Sequence, residues 1–265
     1  MAGRLQDKTA IVVGAGQTPG STIGNGRAMA VLFAREGAEV MCVDAQLDRA
    51  QETVALIEKE GGHAFAVEAD VSTTAGCEAI VATGKMHMGR IDILVNNVGI
   101  GAGDAPPHVI AEDVYDRIMA VNLKSAVMTT REALKVMREQ RSGVILSISS
   151  LAALLGHDKI TYEVSKAGMV RHIQAVAAGN AKYGIRANVI LPGFMDTPMA
   201  MVGISAAKGI TEEELRAQRD SHVPLGKMGT GWDTAYAALF LCSDEAKFIS
   251  GVALPVDGGM NVTRG

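Results

Sequence analysis

The sequence has little with which to cross-link itself or hold a metal. Its three cysteines, Cys42, Cys77 and Cys242, are odd in number and far apart, which fits neither a disulfide framework nor a zinc site. Buried thiols in a reducing compartment are the expectation, and no metal. There is no long run of one charge either. Lys and Arg number 25 against 29 Asp and Glu, for a net charge of −4. That balance offers no electrostatic pull on nucleic acid or on an anionic membrane surface. No apolar run is long enough to cross a bilayer. The opening "MAGRLQDKTAIVV" reaches a strand-like run without the apolar core and small-residue cleavage site of a secretory signal. A cytoplasmic protein is expected.

What the sequence does have is apolar bulk and alternation. Hydrophobic residues make up 48% of 265, enough to bury a core. Short β-branched runs at 9–13, 38–43, 63–69, 91–97, 143–149, 185–191 and 251–256 read as seven strands. Helical spacing of apolar residues marks 26–36, 46–60, 110–139, 162–182 and 231–242 between them. Several strands are apolar on both faces, as when helices cover both sides of a parallel sheet. The pattern predicts an α/β fold, a doubly wound parallel sheet of the Rossmann type, in one domain over 1–265. Ligands of such sheets bind beyond the carboxyl ends of the strands, so motifs placed there carry the functional weight.

The first such motif is "GAGQTPGSTIGNGRA", Gly14 to Ala28. Glycines let a backbone approach a pyrophosphate, and a helix N-terminus offers oriented N–H groups. A scatter of glycines is weak evidence alone; Asp44, 20 residues after Gly24 and 18 after Gly26, adds to it. A carboxylate there can accept both hydroxyls of an adenosine ribose and repels a 2′-phosphate, though it can also serve as a helix N-cap. No basic residue stands at 45–48, so NAD is expected over NADP.

In "YEVSK", Tyr162 and Lys166 stand at i and i+4, on one helix face. An ammonium beside a phenol lowers the phenol's pKa from about 10 and yields a proton donor and acceptor suited to alcohol and ketone interconversion. Upstream, "GVILSISS" is a buried strand ending in serines that can orient a carbonyl.

With these in place the chain resembles the short-chain dehydrogenase/reductase family over essentially its whole length. The resemblance rests on the first glycine turn and on "ADV", "NNVG", "VNLKS", "SISS", "YEVSK", "LPGFMDTPM" and "PVDGG", in that order. It implies that Tyr162 is the general acid/base, and that Lys166 lowers its pKa and holds the nicotinamide ribose. It implies that Asn122 supports a water relay to the lysine. Cofactor contacts are implied at Gly14, Gly24, Gly26, Asp44, Asp70, Val71, Asn96, Gly99, Pro192, Gly193 and Thr197. The family's serine falls on Ser150 counted from the strand end, and on Ser149 counted back about thirteen from the tyrosine. Loops absorb deletions and strands do not, so Ser150 is preferred.

The departures are informative. The opening turn exceeds the family's motif by about six residues, with Gln17 to Ser21 as the insertion. Val98 replaces the commoner alanine, and Gly179 stands inside a helix where close packing would explain it. Residues 194–226 match a substrate lid and include Met195, Met199 and Met201; a partly apolar substrate is expected. His157 and Asp158 are expected at the pocket rim. The implied activity is hydride transfer between NAD(H) and a secondary alcohol or ketone, in a homotetramer. NADPH-dependent 3-oxoacyl reduction and a non-catalytic dinucleotide sensor are the alternatives.

Overall fold

The computed structural model describes residues 3–156 and 159–263; His157 and Asp158 lie outside them. The first half of the chain runs β1 (Thr9–Val13), α1 (Asn25–Arg35), β2 (Glu39–Asp44), α2 (Leu47–Lys59), β3 (His63–Glu68), α3 (Thr74–Met88) and β4 (Ile93–Asn96). Next come α4 (Glu112–Met119), a π-helical turn (Ala120–Lys124), α5 (Ser125–Gln140), β5 (Gly143–Ile148) and α6 (Ile160–Asn180). The last part is β6 (Ile185–Pro192), β7 (Met195–Asp196), α7 (Pro198–Lys208), α8 (Glu212–Asp220), β8 (Gly229–Thr230), α9 (Gly231–Cys242) and β9 (Ala253–Val256).

Seven strands form one sheet in the order β3-β2-β1-β4-β5-β6-β9, and β7 pairs separately with β8. Every pairing in the main sheet is parallel. The reason is in the strands themselves: successive side chains point to opposite faces, and both must be buried. Val12, Val40 and Val95 pack with Met29 and Phe33 of α1 and Leu239 of α9 on one face. Ile11, Met41 and Leu94 pack with Ile80 of α3, Met137 of α5 and Ile173 of α6 on the other.

Because all seven strands run the same way, the segments following them line one edge. Strand order reverses where β1 lies between β2 and β4, which is where doubly wound sheets open a crevice. The expected strands are all present, with ends that move by no more than two residues. The pattern did not show α3, capped by Thr73, whose hydroxyl accepts the Gly76 N–H at 3.0 Å. Nor did it resolve 194–226, which folds as β7, α7 and α8 around a small core of Met201, Leu215, Val223 and Met228.

One expectation needs correction. Gly179 is not packed: a Cβ there would meet nothing within 4 Å, so close packing is not its reason. Of the three methionines, Met195 and Met201 are buried and only Met199 is exposed, because helical spacing turns Met201 into the small core.

Candidate active site

The glycine turn is built by close backbone approaches. Gly14 has φ +84°, a left-handed conformation that favours glycine. A Cβ on Gly26 would overlap the Gly14 carbonyl oxygen, and that carbonyl accepts the Asn97 side-chain N–H at 2.9 Å. Gly24 caps α1 with no side-chain bond, and the first turn of α1 holds no acidic residue. The leading N–H groups of α1 thus have no side-chain cap, and their positive partial charge meets no acidic residue in that turn. A diphosphate fits such a cradle. The insertion has a defined job: Gln17 accepts the Gly24 N–H at 2.8 Å and donates to the Thr22 carbonyl at 3.2 Å. Its bend rests on the start of α7, since a Cβ at Gly20 would lie 2.8 Å from Pro198 Cβ.

Asp44, at the end of β2, accepts the Gly16 and Gln46 backbone N–H groups, each at 3.1 Å. A carboxylate has about four acceptor positions, so capacity for further hydroxyls remains. Asp70 and Val71 follow β3 on the same edge. Asp70 is exposed and held below the usual carboxylate range by hydrogen bonds from Ser72; Val71 is buried beside α3.

The reactive groups meet where β4, β5 and α6 converge. Lys166 is 2% exposed and its Nζ donates to the Ile148 carbonyl at 3.0 Å. Burial pushes its pKa down to about 8. Tyr162 lies alongside, its ring centroid 5.6 Å from Lys166 Nζ. Burial raises the phenol's pKa, and a hydrogen bond with the Ser150 side chain works against that rise. Of the two effects, desolvation is the larger. The two serines divide cleanly. Ser149 is buried and donates to the Lys166 carbonyl at 2.8 Å, whereas Ser150 faces Tyr162 and accepts the Ala152 N–H at 3.2 Å.

Asn122 is fully buried in the π-helical turn. Its side chain accepts the Ile100 N–H at 2.8 Å and donates to the Ile100 carbonyl at 2.9 Å and to Ser165 Oγ at 3.1 Å. It clamps the loop after β4 against α6. The wide turn is a common device at functional sites. In the same loop, a Cβ on Gly99 would stand 2.9 Å from Lys166 Nζ, and one on Gly101 would stand 3.5 Å from the Tyr162 ring.

After β6, Pro192 pairs with Val256 and the Gly193 N–H reaches the Val256 carbonyl at 3.0 Å. Thr197, 5% exposed, precedes Pro198 at the first position of α7. Asp196 is clamped by Arg216 of α8 through two N–H bonds at 2.8 and 3.2 Å.

Asn96 ties β4 to the neighbouring α5, as the resemblance implies. It is buried, accepts Thr129 Oγ1 at 2.7 Å and donates to Thr130 Oγ1 at 3.2 Å. Side-chain alternation turns it toward α5, and Asn97 is the residue that reaches the glycine turn. Reading the sequence also missed Arg49. A Cβ on Gly16 would lie 2.6 Å from Asp44 Oδ2 and 2.7 Å from Arg49 Cβ. Helical side chains lean toward the N-terminus, so Arg49 in the first turn of α2 leans back to the strand ends. The clue was one position past 45–48.

Comparison with known proteins agrees with this geometry. A family model described as "Enoyl-(Acyl carrier protein) reductase" matches residues 20–261. A short-chain dehydrogenase/reductase from Burkholderia xenovorans superposes with a TM-score of 0.94 at 40% identity, covering 100% of both chains. A 7α-hydroxysteroid dehydrogenase solved with NADH and 7-oxo glycochenodeoxycholic acid superposes at 0.86 with 33% identity, covering 97% of this chain and 95% of its own. The L-rhamnose 1-dehydrogenase (NAD(P)(+)) of Azotobacter vinelandii is 36% identical over 267 residues, 97% of this chain and 98% of that protein. The chain belongs to the short-chain dehydrogenase/reductase family. It is an oxidoreductase of that type, whose dehydrogenases use nicotinamide dinucleotides.

Proposed function

We propose that the protein interconverts a secondary alcohol and a ketone with NAD(H). The observation that carries this reading is the meeting of Tyr162, Ser150 and Lys166 on the sheet edge that also bears the glycine turn. The dinucleotide supplies the hydride chemistry when bound. The chain's own groups do the rest. Tyr162 gives its proton to the substrate oxygen in reduction and takes it in oxidation, while Ser150 donates a hydrogen bond to that oxygen. Lys166 keeps two N–H donors beyond the one given to Ile148, suited to ribose hydroxyls. Gly14, Gly24 and Gly26 shape the diphosphate cradle, Asp44 receives the adenosine ribose, and Asp70 and Val71 flank the adenine. Gly99, Pro192, Gly193 and Thr197 border the nicotinamide, and Asn96 acts only through β4 and α5.

Leu154, Leu155, Val109 and Met199 are exposed on the segments around this site, which favours a partly apolar substrate, with 194–226 as its lid. The steroid and sugar relatives fit a bulky secondary alcohol. Arg49 beside Asp44 supports a second reading, in which NADP is also accepted. Tyr236, Phe240 and Phe248 are exposed on and just after α9, and β9 is a sheet edge. These features support a homotetramer, and the three buried free cysteines favour the reducing cytoplasm. No described helix is long and apolar enough to cross a membrane.

The test is a spectrophotometric panel at the nicotinamide absorbance band: L-rhamnose, a 7α-hydroxy bile acid, simple secondary alcohols, and a 3-oxoacyl thioester, each with both cofactors. Turnover of a secondary alcohol with NAD is expected. Reduction of the thioester alone, with NADPH alone, overturns the reading.

A further inference from the structure

The start of α6 is held by a residue far away in sequence. Lys159 occupies the N-cap position and supplies no side-chain cap, so the leading N–H groups of the helix need partners elsewhere. They find them in the loop after β4. Asp104 Oδ2 accepts the Tyr162 N–H at 2.8 Å, and Asp104 Oδ1 accepts the Thr161 N–H at 3.2 Å. The Ala105 carbonyl takes the Ile160 N–H at 3.5 Å. Asp104 is only 8% exposed, and its Oδ1 also accepts the Ala105 N–H at 3.0 Å. An acidic side chain has thus been buried at the positive end of a helix, in the role an N-cap normally fills from the adjoining residue.

We propose that Asp104 is a positioning residue for the reaction, setting where the Tyr162 phenol stands relative to Ser150 and Lys166. The inference rests on the reading of Tyr162 as proton donor and acceptor. Its force comes from one loop touching all the relevant groups. Gly99 abuts Lys166 Nζ, Ile100 is clamped by Asn122, Gly101 lies under the Tyr162 ring, and Asp104 grips the Tyr162 backbone. The carboxylate is the only one of these contacts that fixes the α6 backbone at the tyrosine itself. Without it the first turn is free to fray, and the phenol moves with it. Small misplacements of a reacting group are expensive in rate.

The experiment compares Asp104→Ala, Asp104→Asn, Tyr162→Phe and Asp92→Asn. Asp92 is a buried carboxylate that accepts the Thr9 N–H at 3.0 Å near the start of β4, at the opposite sheet edge. Each variant is assayed for kcat and KM on the fastest alcohol of the panel, for NADH affinity by fluorescence, and for folded fraction. Asp104→Ala should lose about tenfold or more in kcat per folded molecule, with NADH affinity held within about twofold because the glycine turn is remote. Asp104→Asn keeps one acceptor oxygen and should recover part of that rate. Asp92→Asn should keep its kcat per folded molecule whatever it loses in stability. Unchanged kcat in both Asp104 variants overturns the proposal, as does an equal kcat loss in Asp92→Asn. If Tyr162→Phe turns over normally, the reading of Tyr162 falls and Asp104 falls with it; an inactive Tyr162→Phe beside a normal Asp104→Ala overturns Asp104 alone.

Discussion

A Cβ on Gly99 would stand 2.9 Å from the Nζ of Lys166. The clash is with the far end of a flexible side chain, so the fold can relax by moving the ammonium rather than the backbone. Gly99→Ala should therefore melt close to the wild type yet lose turnover, because Lys166 leaves its place beside Tyr162. Matched melting curves and kcat values check this. A variant with normal kcat would show that the ammonium's position is not critical.

Asp44 and Arg49 converge at Gly16, and the proposed function makes this the point where NAD is told from NADP. Asp44→Ala should weaken NADH binding by about tenfold, equivalent to 1.4 kcal/mol, and narrow the gap to NADPH. Arg49→Ala should weaken NADPH and leave NADH within about twofold. Fluorescence titration of both cofactors against both variants reads the four numbers directly.

The same pair shows what the sequence makes legible and what it does not. β1 and β2 stand out because their apolar runs must be buried on both faces, so Gly14 and Asp44 could be placed at strand ends by counting. Ser150 was reachable by the same logic. Asp104 was not: it lies 57 residues from Thr161, and nothing local in either segment signals the contact. α3 escaped notice because Thr, Gly and Cys dilute its apolar spacing. The stretch 110–139 reads as one helix but holds α4 and α5 end to end, joined by the π-helical turn at Asn122, which a tertiary clamp ties to Ile100.

Gly179 offers a stability test. It is exposed within α6 and a Cβ there meets nothing within 4 Å, so it contributes only a helix-weakening backbone. Gly179→Ala should stabilise by up to about 1 kcal/mol, raising Tm by roughly 2–4 °C. A lower Tm would mean that this face is covered in the assembled protein.

Burial depresses Lys166 to about 8 from 10.5, and this predicts a pH signature. Between those values the unfolded chain holds the proton and the folded chain has released it. Stability against unfolding therefore rises with pH across that window, and the burial penalty is full below it. The buried thiols act the other way: Cys42 and Cys242 are pushed up to about 12 and Cys77 to about 11 from 9.0, so stability falls above their ordinary value. Subtracting Lys166→Met from wild type isolates the lysine. The variant's advantage in cofactor-free denaturant melts should be largest below pH 8 and shrink toward 10.5. A difference flat with pH would contradict a depressed Lys166.

The most direct test of the whole account is Tyr162→Phe, with turnover and NADH affinity measured on the same preparation. Removing the hydroxyl takes away the proton donor and the partner of Ser150 while leaving the ring against Gly101. The account predicts that kcat falls by about 100-fold or more while NADH affinity stays within about twofold. Turnover within about tenfold of wild type, in a variant that binds NADH normally, would contradict it.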